Sequence, residues 1–231
     1  MENRYVYLLG GNPTLSDAVE SFVHLSGGKE ARLVLLTVKK GAWEKHVPRY
    51  TNQWEQLGVS SIHIIAVNNR TELSGEELEC IKNATGIYIG GGHTETYHNV
   101  YAYDPVKTLL AEKYESGTPI AGCSAGALIL PKTVVISPND TDDQQMKVTE
   151  GIGFISSSLV AVHYSQWQEH EHIIRGMSEV GCREALCLDE EAALLLCNEK
   201  PYRTFGPENV YCLEHMHQEG IVERILKLSS I

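Results

Sequence analysis

The chain has 231 residues, enough for one large domain or two small ones at roughly 100–200 residues per domain. Apolar residues make up 42% of the sequence and charged residues 21%, which excludes a disordered or fibrous protein. The balance of 19 Lys and Arg against 30 Asp and Glu gives a net charge of −11. Such a surface repels phosphate backbones and anionic lipids, so we expect neither a nucleic-acid nor a membrane partner.

The first 130 residues alternate between short apolar runs and amphipathic segments. Strands are predicted at residues 5–9, 32–38, 61–67, 86–89 and 118–121, and helices at residues 15–25, 43–57, 74–83 and 94–115. Pro48 and Pro105 are expected to interrupt the second and fourth helices. Ser74, with Glu77 three residues later, is typical of a helix N-terminus. Fully apolar strands that alternate with helices indicate a parallel sheet covered on both faces.

From about residue 133 the pattern becomes richer in strands, which are predicted at residues 134–137, 153–163, 185–188, 192–197 and 209–213. One helix is predicted within this half, at residues 168–180. No linker rich in Pro, Gly or Ser separates the two halves. We therefore predict a single domain over residues 1–231, with an α/β fold of three layers, αβα, and a mostly parallel central sheet.

The six cysteines contain no Cys-x-x-Cys pair and no zinc-ligand spacing, and most of them lie in apolar runs. They are Cys80, Cys123, Cys182, Cys187, Cys197 and Cys212. The N-terminus has no pattern of a signal peptide, and no apolar run approaches the ~18–20 residues that span a bilayer. A cytoplasmic protein with reduced thiols is expected.

Two glycine-rich turns follow strands of the predicted sheet, at the edge where open α/β sheets bind their ligands. Residues 90–92 are a run of three glycines, and residues 122–126 match the pattern Gly-x-Ser-x-Gly. In that pattern a sharp strand-to-helix turn exposes the serine hydroxyl, and the following helix N-terminus favours developing negative charge. Ser124 is therefore a candidate nucleophile, although the same turn could serve only to cap the helix.

A serine nucleophile needs a base and an acid that orients it. His163 ends the apolar run 158–162, and Asp189 and Glu190 end the run 185–188, so all three lie at predicted strand ends. Alternation along a strand puts the two carboxylates on opposite faces, but strand ends twist into turns. The residue pattern therefore leaves open which carboxylate meets His163.

Four motifs along the chain complete this pattern. They are Gly-Gly-Gly-x-Thr at 90–94, Gly-x-Ser-Ala-Gly-Ala at 122–127, His-Tyr at 163–164 and Leu-Asp-Glu-x-x-Ala-Leu at 188–194. Together they resemble the S51 family of serine peptidases, which contains dipeptidase E and cyanophycinase. The resemblance covers nearly the whole chain and implies a fold similar to that of the class I glutamine amidotransferases.

The resemblance implies a role for each matching residue. Ser124 would be the nucleophile, His163 the general base and then acid, and Glu190 the acid that orients His163. Asp189 would then anchor the turn by accepting backbone N–H bonds, and Asp140 matches an aspartate proposed to assist catalysis.

The resemblance also implies an oxyanion hole made of backbone N–H groups, from Ala125 and one of Gly91 or Gly92. No metal and no cofactor is expected. The implied activity is hydrolysis of small peptides by a dipeptidase-like exopeptidase, in a small pocket closed by residues 43–52 or 138–146. The sequence leaves open whether the protein forms a homodimer.

Three departures from the family bear on the substrate. His93 stands where Asn is usual, and Ala161-Val162-His163-Tyr164 replaces Asp/Asn-Pro-His-Phe. The arginines that often follow this histidine are replaced by residues 165–170, Ser-Gln-Trp-Gln-Glu-His. Because paired arginines clamp acidic side chains, their absence leaves open whether the substrate is an aspartyl peptide.

Three other functions use parts of the same pattern. An esterase of the α/β-hydrolase type would use Ser124, then Asp189, then His215 or His217 in chain order. A glutamine-amidotransferase-like enzyme would use Cys123. A binding protein that has lost catalysis could recognise a small acidic or amide ligand.

A metal site would have to draw on His163, Glu169, His170 and His172. His170 and His172 are two residues apart and so lie on different faces of a helix, which argues against this site.

Overall fold

The structure is a computed structural model that describes residues 3–68, 73–216 and 220–229. The α-helices in these residues are α1 (Ser16–Leu25), α2 (Pro48–Gln56), α3 (Gly75–Asn83), α4 (Thr94–Tyr101), α5 (Val106–Glu115), α6 (Ala125–Leu128) and α7 (His170–Val180). The strands of the first half are β1 (Tyr5–Leu9), β2 (Arg32–Val38), β3 (Ser61–Val67), β4 (Gly86–Ile89) and β5 (Ile120–Cys123). The strands of the second half are β6 (Thr133–Ile136), β7 (Lys147–Glu150), β8 (Leu159–Ala161), β9 (Glu184–Leu188), β10 (Ala193–Cys197), β11 (Lys200–Phe205), β12 (Val210–Met216) and β13 (Gly220–Leu226).

The central sheet has seven strands in the order β11-β10-β1-β5-β4-β2-β3. The five strands from β1 to β3 in this order are parallel, whereas β10 and β11 pair antiparallel at one edge. Alternate residues of β1 enter different apolar clusters, Val6 and Leu8 in one and Tyr7 and Leu9 in the other. Both faces of the sheet are therefore covered, which confirms the three-layer α/β fold with a mostly parallel sheet.

A second sheet of four strands, in the order β13-β12-β9-β8, lies in the C-terminal half, and β6 and β7 form a separate pair. Helix α7 buries Ile173 and Met177 in the apolar cluster of this sheet. None of the helices in the described ranges combines the length and the apolar character that a membrane crossing requires.

Two predicted strands begin two or more residues later in the structure. The strand predicted at 153–163 is confined to β8, because the N–H groups of Ile152 and Gly153 donate to the carbonyls of Ile129 and Leu130 instead of to a strand. The strand predicted at 118–121 begins later, because the backbone N–H of Thr118 donates a hydrogen bond to the carbonyl of Lys113 in α5. In both cases backbone groups outside the sheet compete for the hydrogen bonds.

Strands β7, β11 and β13 were not predicted. None of the three has a run of buried residues, and β11 and β13 are edge strands. An edge strand has solvent on several sides, so its sequence need not alternate strongly between apolar and polar residues.

The helix signals are confirmed with one change. Ser74 and Glu77 form the predicted capping box at the start of α3, and the segment 94–115 divides into α4 and α5. Pro48 does not interrupt a helix but is the first residue of α2, where its missing N–H costs no hydrogen bond.

Helix α6 lies directly against the central sheet because glycine is present at two contact points. A Cβ atom on Gly126 would lie 2.2 Å from the carbonyl oxygen of Ile89 at the end of β4. A Cβ atom on Gly122 would lie 2.5 Å from the carbonyl oxygen of Gly126. These contacts fix the turn between β5 and α6 relative to β4.

Gly126→Ala should lower the free energy of unfolding by about 1–3 kcal/mol, since the added methyl group meets backbone atoms that cannot rotate away. The measurement is urea denaturation. Gly75→Ala is the matched control, because Gly75 opens α3 and a Cβ atom added there would meet no atom within 4 Å. Equal stability of the Gly126→Ala and wild-type proteins would contradict this account of the turn.

Candidate active site

Ser124 lies in the turn between β5 and α6, with backbone angles of φ 51° and ψ −116°. A non-glycine residue in this region costs on the order of 1–3 kcal/mol and persists only where the surroundings hold it. Here the Ser124 N–H donates to the carbonyl of Leu9 at 2.9 Å, at the end of β1. Ser124 therefore follows β5 directly and is hydrogen-bonded to the end of β1, the parallel neighbour of β5 in the central sheet.

His163 follows β8 and brings its imidazole to this serine. The distance between Ser124 Oγ and His163 Nε2 is 2.9 Å, a hydrogen bond. His163 also has a positive φ, of 50°, and is 9% exposed. Two non-glycine residues in sparsely populated conformations thus meet at one point.

The two neighbouring carboxylates have different surroundings. Glu190 Oε2 lies 3.6 Å from His163 Nδ1, and the Glu190 side chain is 48% exposed. Asp189 is 4% exposed and accepts hydrogen bonds from the backbone N–H groups of Ser165 and Asn209. The structure therefore directs Glu190 toward the imidazole and gives Asp189 the contacts of a turn anchor.

The Nδ1 atom of His163 is buried and has no hydrogen-bond partner among the described residues. The separation of 3.6 Å from Glu190 exceeds a hydrogen bond. Contacts of this kind are often long in a free enzyme and shorten when substrate binds.

Two glycines that follow β1 make room for this pair. A Cβ atom on Gly11 would lie 2.4 Å from His163 Cε1 and 2.7 Å from Glu190 Cγ, and one on Gly10 would lie 1.8 Å from the Asp189 carbonyl oxygen. Their role was not predicted, although the pair Gly-Gly directly after a strand was visible in the sequence.

Trp167 covers one face of the imidazole. The ring centroids of His163 and Trp167 are 4.4 Å apart and the rings are inclined by 19°, which is a stacked arrangement. The backbone N–H of Trp167 also donates a hydrogen bond to the His163 carbonyl oxygen at 2.8 Å. The sequence marked Trp167 only as part of the segment in which family arginines are replaced.

Burial is the main cause of the pKa shifts of His163 and of Cys123, the residue before Ser124. Burial lowers the pKa of His163, and the charges of Glu190, Asp140 and Glu169 oppose this effect. Burial raises the pKa of the Cys123 thiol to about 12, so this cysteine is a neutral thiol near pH 7. Cys123 is therefore no thiolate nucleophile in this structure.

The expected oxyanion site has two backbone N–H groups without a partner. The Gly91 N–H donates to the Tyr50 hydroxyl at 2.9 Å and is thereby occupied. In the described part of the chain, no group accepts a hydrogen bond from the backbone N–H of Gly92 or of Ala125. Of the two glycines left open by the sequence, Gly92 is thus the one free to donate.

The accessory candidates lie beside this centre. Asp140 accepts a hydrogen bond from Thr94, and burial raises its pKa. His93 lines the cavity in front of Ser124, with Nε2 3.4 Å from Asp142 Oδ1. No hydrogen bond within the described ranges joins Asp140 or His93 to Ser124 or His163.

The described residues of the alternative sets are not brought together. His215 is exposed on β12 in the second sheet, and His217 lies outside the described residues. His170 contacts the hydroxyl of Tyr164 at 2.6 Å, and Glu169 accepts hydrogen bonds from Ser137 and Asn139. Within the described residues, the geometry therefore supports neither an esterase order through His215 nor the metal cluster that the sequence had argued against.

A cavity of about 420 Å³ opens in front of Ser124. Its lining includes Gly91 and Gly92 after β4, His163 and Glu190, and several side chains of the segment 40–50 after β2. That segment overlaps the predicted closing loop 43–52, whereas no residue of 138–146 lines this cavity.

Known proteins resemble this chain in sequence and in fold. Residues 7–203 match the family described as Peptidase family S51. A Peptidase E of Shewanella denitrificans is 27% identical over 168 residues, which are 71% of this chain and 66% of that protein. A Peptidase E of Shewanella baltica OS155 is 37% identical over 99 residues, 41% of this chain and 39% of that protein. The chain thus spans less than two thirds of the length of either relative.

A solved structure shows the same fold over almost the whole chain. The crystal structure of a peptidase from an acI-B1 Actinobacterium superposes with a TM-score of 0.74 and 21% identity. The superposition covers 98% of this chain and 95% of that one. Since the family match extends over most of the sequence, the chain belongs to peptidase family S51.

Proposed function

We propose that this protein is a serine peptidase that hydrolyses small peptides as a dipeptidase-like exopeptidase. The observation that carries the proposal is the 2.9 Å contact between Ser124 Oγ and His163 Nε2, on a strained turn that faces a cavity. A serine nucleophile needs a base within hydrogen-bond reach, and strained backbone conformations cluster at active sites, so the two features together support this role.

In the proposed mechanism His163 Nε2 accepts the hydroxyl proton while Ser124 Oγ attacks the peptide carbonyl carbon. The N–H groups of Gly92 and Ala125 stabilise the negative charge on the carbonyl oxygen. His163 then protonates the leaving amine, and a water molecule activated by the same imidazole releases the acyl group. Glu190 accepts the Nδ1–H of His163 and so keeps Nε2 free to take the proton.

The substrate size follows from the cavity. A volume of about 420 Å³ accommodates a peptide of a few residues rather than a folded chain. The six cysteines are free thiols, which supports the proposed cytoplasmic location because thiols stay reduced there.

Ser124→Ala should reduce peptide hydrolysis by at least about 10³-fold and abolish labelling by a fluorophosphonate, with little change in thermal stability. Cys123→Ala should retain both properties, because the buried thiol is not ionised. The measurements are kcat/KM on a dipeptide library and the rate of labelling. Failure of the wild-type protein to label would favour the binding-protein alternative.

Glu190→Gln should lower kcat by at least about 10²-fold, by analogy with the loss of a triad acid. Its melting temperature should stay nearly unchanged, because the side chain is half exposed. Asp189→Asn should do the opposite, since Asp189 is buried and accepts backbone N–H bonds. A catalytically normal Glu190→Gln enzyme would place the orienting acid elsewhere, with Asp140 examined next.

The acid limb of kcat/KM should lie below the ordinary histidine pKa of 6.5, because burial lowers the pKa of His163. Only the neutral imidazole accepts the serine proton. Activity is therefore still high at pH 6.5 and falls as the pH drops through the lower pKa in the folded enzyme. A half-maximal value at about pH 7 or above would contradict this assignment.

Variants of Trp167 separate the ring contact from simple burial. Trp167→Leu keeps apolar cover but removes the aromatic face that stabilises a protonated imidazole, so the acid limb should move about half a pH unit lower. Trp167→Phe keeps an aromatic face and should shift it much less. Equal profiles for the two variants would mean that the stack does not affect His163.

A further inference from the structure

The cavity has opposite charges on the two sides of Ser124. Glu190 lies beside Gly11, which follows β1, and β1 is one neighbour of β5. On the other side come β4 and then β2, and the segment 40–50 that follows β2 contributes Lys40, His46 and Arg49 to the lining. Two strand spacings amount to about 10 Å. The basic wall therefore starts about 10 Å from the strand of Ser124, in the direction away from Glu190.

These basic side chains are available to a ligand. No ion pair in the described part of the chain engages Lys40, His46 or Arg49. Glu44, the only acidic residue of the segment 40–50, does not line the cavity. In a chain with a net charge of −11, a wall of this kind is a local exception that attracts anions.

The charge of Arg49 also acts on the floor of the cavity. Burial raises the pKa of Cys123, the residue directly before Ser124, and the charge of Arg49 partly opposes this effect. The same charge opposes the raised pKa of Tyr88, which lies on β4. Arg49 thus acts electrostatically on β5, which carries the Ser124 turn, and on its neighbour β4.

We propose that Arg49 and Lys40 bind a carboxylate of the peptide substrate and thereby place its scissile carbonyl at Ser124. The inference rests on the proposed peptidase function. A guanidinium can hold a carboxylate by two hydrogen bonds, and an ammonium adds a point charge. Glu190 repels the same group on the opposite side, so the substrate binds in one direction.

The carboxylate has two sources in a dipeptide, an acidic side chain of the first residue and the terminal carboxylate of the second. Either lies about one residue length, ~3.6 Å, from the attacked carbonyl. Arg and Lys side chains are long enough to cover the remaining distance across β4, and both Arg49 and Lys40 line the cavity.

Four probes separate these sources: Asp-Ala, Asp-Ala amide, Asn-Ala and Asn-Ala amide. We would measure kcat/KM for each with the wild-type protein, Arg49→Gln, Lys40→Gln and the double variant. Arg175→Gln and Lys29→Gln are matched controls, because both residues are exposed and neither lines the cavity. Calorimetric titration of the four probes into the Ser124→Ala protein measures recognition without hydrolysis.

We expect the probes that carry the recognised carboxylate to be preferred about 10- to 100-fold over Asn-Ala amide, the range for hydrogen bonds to charged groups. The double variant should lose this preference and the controls should keep it. Asp-Ala amide retains the preference if the side chain is recognised, and Asn-Ala retains it if the terminal carboxylate is.

Two results would overturn the inference: equal use of all four probes by the wild-type protein, or an unchanged preference in the double variant. If either result occurs while Ser124 still labels with a fluorophosphonate, the carboxylate inference is wrong and the peptidase proposal is retained. Carboxylate-dependent binding to Ser124→Ala in a protein that hydrolyses no peptide would support the inference and remove the peptidase proposal.

Discussion

The turn between β5 and α6 is confined by its neighbours on both sides, and the rest of the site depends on this confinement. On one side the Ser124 N–H is bonded to Leu9 at the end of β1, and on the other Gly126 lies against the carbonyl of Ile89 at the end of β4. A backbone held at two points cannot relax, so Ser124 keeps its positive φ and its hydroxyl projects beyond the edge of the sheet. Strain at this residue is a consequence of packing in the parallel sheet.

The partners of Ser124 come from the second half of the chain, and they reach it because β10 pairs with β1. This pairing brings the turn after β9 to Gly10 and Gly11, where the absence of side chains leaves space for the imidazole of His163 and the side chain of Glu190. Asp189 then secures the turn through buried backbone contacts. The two adjacent carboxylates are separated in this way into a structural group and one that faces the imidazole.

Burial and charge act in opposite directions across this cavity. The imidazole lies mostly out of solvent, and this burial favours its neutral form, the form that accepts a proton, although the face of Trp167 stacked on it stabilises the protonated form. Burial likewise keeps Cys123 protonated, so the residue next to the hydroxyl does not compete as a nucleophile. The exposed basic residues of the segment 40–50 line the same cavity and bring positive charge to its other side.

The sequence by itself determined the parallel sheet. Runs such as residues 33–36 consist only of apolar residues, so they place apolar side chains on both faces of a strand and both faces must be buried. It also identified the turn at Ser124 and the position of His163 at a strand end, because short motifs report local backbone geometry. It did not reveal the edge strands β11 and β13, whose exposed residues carry little periodicity. The stack of Trp167 on His163, the glycine contacts of Gly10 and Gly11, and the choice between Asp189 and Glu190 depended on tertiary structure. Each of these is a contact between segments distant in the chain or a choice of face at a twisted strand end, and such relations are fixed only when the strands pair.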